Sequence, residues 1–240
     1  MERSRIVAAN WKMNVLPSEA KTLAGQVARA LPIKNVEVII CPPFTHLFSL
    51  MPFQSESLKI GAQNCNENLF GAHTGDISAQ MLKDLGCSYV IIGHSERRAR
   101  QSTENARISA KIHAALQAGL KPIYCCGEGL PIREKEAHIE FVKDQLESDL
   151  ATLQKEHIEE IVIAYEPVWA IGTGKNASPE QAQEMHASIR KWLSARFGND
   201  LSIQTQILYG GSVKAVNALA LAKQNDIDGF FGRWGEFECR

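Results

Sequence analysis

Ile161-Val162-Ile163-Ala164-Tyr165-Glu166-Pro167-Val168-Trp169-Ala170-Ile171-Gly172-Thr173-Gly174-Lys175 reads as a buried strand, a carboxylate and a loop. The run 161–165 is apolar throughout and short, as a strand covered on both faces should be. Glu166 then falls at the strand's carboxyl end. Pro167, Val168 and Trp169 form a stiff segment, and 170–174 a tip built mostly of small residues. A carboxylate below a loop that swings on rigid ends suits a general base under a closing lid. A surface glutamate before an ordinary loop has the same local pattern. Just downstream, Ser178-Pro179-Glu180 offers an N-cap followed by a proline in the first turn, so a helix begins there.

The same strand-then-helix unit recurs along the chain. Strands are expected at 6–11, 36–41, 59–63, 89–93, 122–126, 161–165, 205–209 and 227–231. Between them lie amphipathic helices. Over 18–31, Ala20, Leu23, Ala24, Val27, Ala28 and Leu31 make one apolar stripe, and over 134–154 Ile139, Val142, Leu146, Leu150 and Leu153 make another. Strands alternating with helices imply a parallel sheet. Eight of them in 240 residues fit a closed (β/α)8 barrel, an α/β single domain over residues 1–240, better than an open doubly wound sheet. No linker or low-complexity run divides the chain. In such a barrel the chemistry gathers at the carboxyl ends of the strands. Asn10, Lys12, His94, Glu166, Gly172, Gly210, Gly211 and Ser212 all fall there.

Bulk properties narrow the function classes. The net charge is −1, which argues against nucleic acid or a membrane surface as partner. No apolar stretch approaches the ~18 residues of a membrane span. The opening MERSRIVAANWKMN has no signal-peptide core, so a cytoplasmic protein is expected. Cys41, Cys65, Cys87, Cys125, Cys126 and Cys239 have neither zinc nor redox spacing, and are read as free thiols in a reducing compartment. No His, Asp, Glu or Cys cluster has metal spacing. Gly172-Thr173-Gly174-Lys175 is not a nucleotide loop. The Walker pattern needs Gly five residues before its Gly-Lys pair and Ser or Thr after it, where this chain has Trp169 and Asn176.

Four segments, in order and suitably spaced, carry a specific resemblance: Ala9-Asn10-Trp11-Lys12-Met13-Asn14, Gly93-His94-Ser95-Glu96-Arg97-Arg98, Ala164–Gly174, and Tyr209-Gly210-Gly211-Ser212-Val213. They resemble the triosephosphate isomerase family over about residues 5–230. The resemblance implies a TIM barrel without a cofactor that interconverts dihydroxyacetone phosphate and glyceraldehyde 3-phosphate, a reaction of glycolysis and gluconeogenesis. It implies that Glu166 moves the proton and that His94, kept neutral at a helix start, donates a hydrogen bond to the enediolate. This division of labour between glutamate and neutral histidine is one that pKa tuning makes possible at neutral pH. Lys12 would supply fixed charge, and Asn10 would help hold the substrate. Backbone N–H groups of Gly172, Gly211, Ser212, Gly232 and Arg233 would cradle its phosphate. Ser95 and Glu96 are expected in support. The other histidines, His46, His73, His113, His138, His157 and His186, are read as core or surface residues. A homodimer is expected, although His73 and Asp76 stand where family members usually carry an aromatic and a glutamate. The alternatives are an isomerase of a four-carbon sugar phosphate, and an impaired barrel that only binds a ligand or partner.

The resemblance breaks down after Phe230. Family members continue with a segment like Leu-Val-Gly-Gly-Ala-Ser-Leu and a final helix. This chain reads Phe231-Gly232-Arg233-Trp234-Gly235-Glu236-Phe237-Glu238-Cys239-Arg240. That tail can be encoded, by choice of synonymous codons, as TTT GGT CGG TGG GGC GAG TTT GAA TGC CGN. Moved one base forward, the same string encodes Leu-Val-Gly-Gly-Ala-Ser-Leu-Asn-Ala. A single extra T near the Phe230 and Phe231 codons would therefore produce 231–240, and a one-base shift is expected there. The final helix is expected to be missing or altered, and phosphate binding weakened where Arg233 and Trp234 replace a glycine pair.

Overall fold

The computed structural model describes residues 3–171 and 176–233. Eight parallel strands close into a barrel in sequence order: β1 (Arg5–Asn10), β2 (Val36–Cys41), β3 (Leu58–Ala62), β4 (Tyr89–Ile92), β5 (Lys121–Cys126), β6 (Val162–Tyr165), β7 (Ile207–Tyr209) and β8 (Gly229–Arg233). Pairing of β1 with both β2 and β8 seals the ring, with Ala8 opposite Ile39 on one side and Phe231 on the other. Helices on the outside connect the strands, the longest being Pro17–Arg29, Glu104–Gln117, His138–Leu150 and Pro179–Phe197.

Strand alternation sorts the core into two layers. Ile6, Ala8, Ile39, Cys41, Tyr89, Ile91, Ile123, Cys125, Val162, Ala164, Leu208 and Phe231 fill the barrel. The intervening residues, among them Ala9, Ile40, Val90, Tyr124, Ile163 and Tyr165, point outward and pack with the helices. Every strand thus buries both faces, which is why the sequence shows apolar runs there. Extending the inward parity by one or two steps past the strand ends brings Asn10, Lys12 and Glu166 to the barrel mouth.

Most expected boundaries move by no more than a residue, and three larger differences follow. The expected strand at 205–209 shortens to Ile207–Tyr209, because Thr205 closes the Asn199–Gln204 helix by donating its N–H and its hydroxyl to the Leu201 carbonyl, at 2.9 and 2.8 Å. The last strand begins at Gly229, although Asp228 already bonds both neighbouring strands, its N–H donating to the Ile207 carbonyl and its carbonyl accepting the Ile6 N–H. The helix expected over 134–154 shortens to His138–Leu150, because Glu136, whose φ of 56° no right-handed helix accommodates, separates it from a short helix at Leu130–Arg133. The helix after 178 forms as expected: the Ser178 hydroxyl accepts the Gln181 N–H while the Gln181 side chain accepts the Ser178 N–H. The altered tail and final helix, apart from Phe231, Gly232 and Arg233 in β8, lie outside the described residues.

Candidate active site

A cavity of about 290 Å3 opens at the carboxyl ends of the strands. Asn10, Lys12, His94, Glu166, Gly211, Ser212, Gly232 and Arg233 all line it, so the fold gathers eight of the expected site residues around one space. Glu96 borders an adjoining cavity of about 280 Å3, which Asn10, Lys12 and His94 also line. Ser95 stands on the far side of Glu166. Gly172 lies outside the described residues. A separate cavity of about 370 Å3 lies at the opposite, amino end of the strands, lined by Glu37, Glu56, Glu160 and Lys121 among others. It lacks the combination of base, imidazole and cation found at the carboxyl end.

Glu166 is buried, and its backbone N–H donates to the Cys126 carbonyl at 2.7 Å, which fixes where the side chain starts. Two glycines make room for it. A Cβ at Gly127, where φ is 156°, would lie 1.8 Å from the Glu166 carbonyl oxygen, and one at Gly210 would lie 2.8 Å from the Tyr165 carbonyl. Only glycine leaves that space. The carboxylate accepts the Ser95 N–H at 2.9 Å and the Ser95 hydroxyl at 2.8 Å, and Oε1 lies 3.3 Å from His94 Nε2.

His94 follows β4 and caps the Ser95–Arg100 helix, its Nδ1 accepting the Glu96 N–H at 3.2 Å. With Nδ1 engaged as an acceptor, Nε2 carries the hydrogen and aims it at Glu166 and the cavity. Lys12 follows β1 in a left-handed backbone conformation, φ 54°, held by its N–H donating to Asn10 Oδ1 at 2.9 Å and by Gln63 donating to its carbonyl at 2.9 Å. Strain of this kind gathers where a side chain must be aimed. Lys12 Nζ lies 2.9 Å from Glu96. Partial burial pushes the Glu96 carboxyl up, but the hydrogen bond and charge of Lys12 outweigh it and hold Glu96 below its ordinary range.

Residues 5–232 match the family model of triosephosphate isomerase. The chain belongs to the triosephosphate isomerase family. Curated triosephosphate isomerases agree: that of Cytophaga hutchinsonii is 45% identical over 230 residues, covering 95% of this chain and 92% of the relative. That of Bacteroides fragilis is 46% identical over 230 residues (95% and 91%), and that of Saccharopolyspora erythraea 44% over 235 (95% and 90%). Within this triosephosphate isomerase fold, sequence reading passed over some participants. Phe231, Lys214 and Asn176 also line the cavity. Glu128, fully buried after β5, accepts the Tyr165 hydroxyl at 3.0 Å and the Trp169 indole N–H at 2.8 Å, tying the base of the 168–175 loop to the barrel. Burial raises its carboxyl, and these donors oppose the rise. Its position just past a strand end, in Cys126-Gly127-Glu128-Gly129, was the available signal.

Proposed function

We propose that this chain interconverts dihydroxyacetone phosphate and D-glyceraldehyde 3-phosphate through an enediolate. The observation that carries the reading is the facing pair of His94 Nε2 and Glu166 Oε1, 3.3 Å apart, beside Lys12 in one cavity. Proton transfer next to a carbonyl needs a base, a donor for the oxygen that gains charge, and fixed positive charge nearby. Glu166 takes the proton from one carbon and returns it to its neighbour. For that it leaves Ser95 and turns into the cavity. His94 donates its Nε2 hydrogen to the carbonyl oxygen, and Lys12 offsets the negative charge of enediolate and phosphate. Asn10 orients the substrate. The N–H groups of Gly211, Ser212, Gly232 and Arg233, with Gly172 from the lid, receive the phosphate, and the Lys214 and Arg233 charges attract it. Ser95 and Glu96 position Glu166 and Lys12. Ile171, which lines the cavity, helps exclude water when the lid closes.

The reading extends to a cytoplasmic homodimer. Among the described residues no helix is long and apolar enough to cross a membrane. Met13, Phe48 and Phe70 are strongly exposed, the kind of apolar surface that a second copy covers. Sedimentation equilibrium distinguishes dimer from monomer.

A coupled assay of glyceraldehyde 3-phosphate isomerisation, on protein of confirmed intact mass, tests the activity. It is paired with proton NMR of substrate turned over in deuterium oxide. Turnover with solvent deuterium entering carbon supports the reading. Tight binding of the triose phosphate with no exchange marks a barrel that only holds its ligand, and faster turnover of a four-carbon analogue moves the substrate to the longer sugar.

A further inference from the structure

Among the described residues, Phe231 is the one member of the interior cluster that also lines the cavity. It sits in β8, directly across the closed eight-stranded ring from β4, which leads into His94. Its side chain is buried among the inward residues, and its ring meets the His94 imidazole edge to face, centroids 5.8 Å apart and planes inclined at 70°. Spanning the ring demands a long side chain and room for it. The interior cluster supplies that room with the small residues Ala8, Cys41, Cys125 and Ala164.

The contact completes the restraint on His94. The Glu96 N–H engages Nδ1 and Glu166 faces Nε2; contacts at the two ring nitrogens leave rotation about the line joining them as the remaining freedom. A ring packed at about 6 Å in this orientation resists tilting, because aromatic pairs favour edge-to-face geometry. It also keeps water from one side of the imidazole. We propose that Phe231 is a positioning residue, holding the His94 imidazole in the plane from which Nε2–H meets the substrate oxygen. This rests on the proposed isomerase reading and adds a group to it.

The experiment compares wild type with Phe231→Leu, which keeps apolar bulk without a ring, and with Phe231→Ala. In wild type, an NOE between the Phe231 ring protons and the His94 ring protons is expected, with His94 signals displaced by ring current. In Phe231→Leu that displacement vanishes, and kcat falls about three- to ten-fold with KM within about two-fold, the size of one aromatic contact expressed as rate. In Phe231→Ala the fall in kcat is larger. No NOE in wild type, or a folded Phe231→Leu protein with wild-type kcat, overturns the proposal. A merely structural Phe231 would change thermal stability and leave kcat in place; the ring-current displacement is lost with the ring in either case. If wild type shows no isomerase turnover, the proposed function fails, and the NOE then decides only whether the Phe231 ring lies against His94.

Discussion

Ser95 holds the Glu166 carboxylate with two hydrogen bonds, one from its N–H at 2.9 Å and one from its hydroxyl at 2.8 Å. The base therefore rests at the cavity wall with both oxygens engaged by Ser95. Its catalytic use requires exchanging these donors for substrate contacts, so Ser95 sets the position from which the swing begins.

Removing the hydroxyl should be felt in stability more than in rate. Ser95→Ala leaves Glu166 with the backbone donor alone. A hydrogen bond to a charged group is worth about 1.5–3 kcal/mol, and this one is made in the resting enzyme and given up before the proton moves. The unfolding free energy should fall by about that amount, while kcat/KM stays within about three-fold of wild type or rises. Steady-state kinetics beside urea unfolding checks it; a large fall in kcat/KM with unchanged stability would show that Ser95 also acts in the transition state.

Glu166→Gln keeps size and hydrogen-bonding capacity but cannot accept a proton from carbon. General-base catalysis is worth about 10²- to 10⁴-fold, so kcat should fall within or beyond that range with the substrate still bound. Residual turnover near wild type would assign the base elsewhere.

Glu104 and Lys111 form a buried ion pair at 2.8 Å beneath the site, with Arg97 3.3 Å from the same carboxylate. Burial pushes the Glu104 carboxyl up, but the two cations outweigh it and hold it below the ordinary range. That stabilisation is present at neutral pH and is lost as pH falls through the lowered value. Glu104→Ala strands the Lys111 ammonium in the core and should cost about 3–5 kcal/mol. Urea unfolding at pH 7 measures the loss, and a change under about 1 kcal/mol would mean that water or Asn64 already satisfies Lys111.

His186 is fully buried between Tyr165 and Tyr209, with Nδ1 3.1 Å from the Asp226 carbonyl. Burial pushes it down from 6.5 to about 4. The unfolded chain takes up a proton below about pH 6.5 while the native form resists until about pH 4. Stability should therefore decline across that window by about 3 kcal/mol. His186→Gln should flatten this part of the stability-against-pH curve even if it lowers the curve as a whole.

The nucleotides encoding 230–240 should read, one base forward from the Phe231 codon, as Leu-Val-Gly-Gly-Ala-Ser-Leu. Sequencing that stretch decides between a one-base shift and a tail encoded in its own right, and codons giving any other segment would dismiss the shift.

Most of the barrel was legible because each strand carries its burial in its own residues. Runs such as Val38-Ile39-Ile40 and Val90-Ile91-Ile92 fit a strand covered on both faces and little else. Lys12, His94 and Glu166 were legible because each interrupts such a run at its carboxyl end. What escaped depends on partners distant in sequence. Thr205 looks like strand until its bonds to Leu201 are seen, and Glu136 looks like helix until its φ is known. Glu128 gains meaning only from Tyr165 and Trp169. Phe231 sits in a tail unlike the family's, and nothing local shows that it crosses the barrel to His94.

The two-residue alternation along β1 and β6 has a consequence for how this protein can change. Inserting one residue before Glu166 in β6 would turn its carboxylate toward the helices and swing Tyr165 into the barrel. The same slip in β1 would exchange Lys12 and Asn10 for Trp11. Catalytic aim and core packing hang on one count, so an insertion that spoils one spoils both. Such a chain is expected to fail in folding rather than to persist as a stable, inactive barrel, so length changes should be tolerated in the loops between strands and not within them.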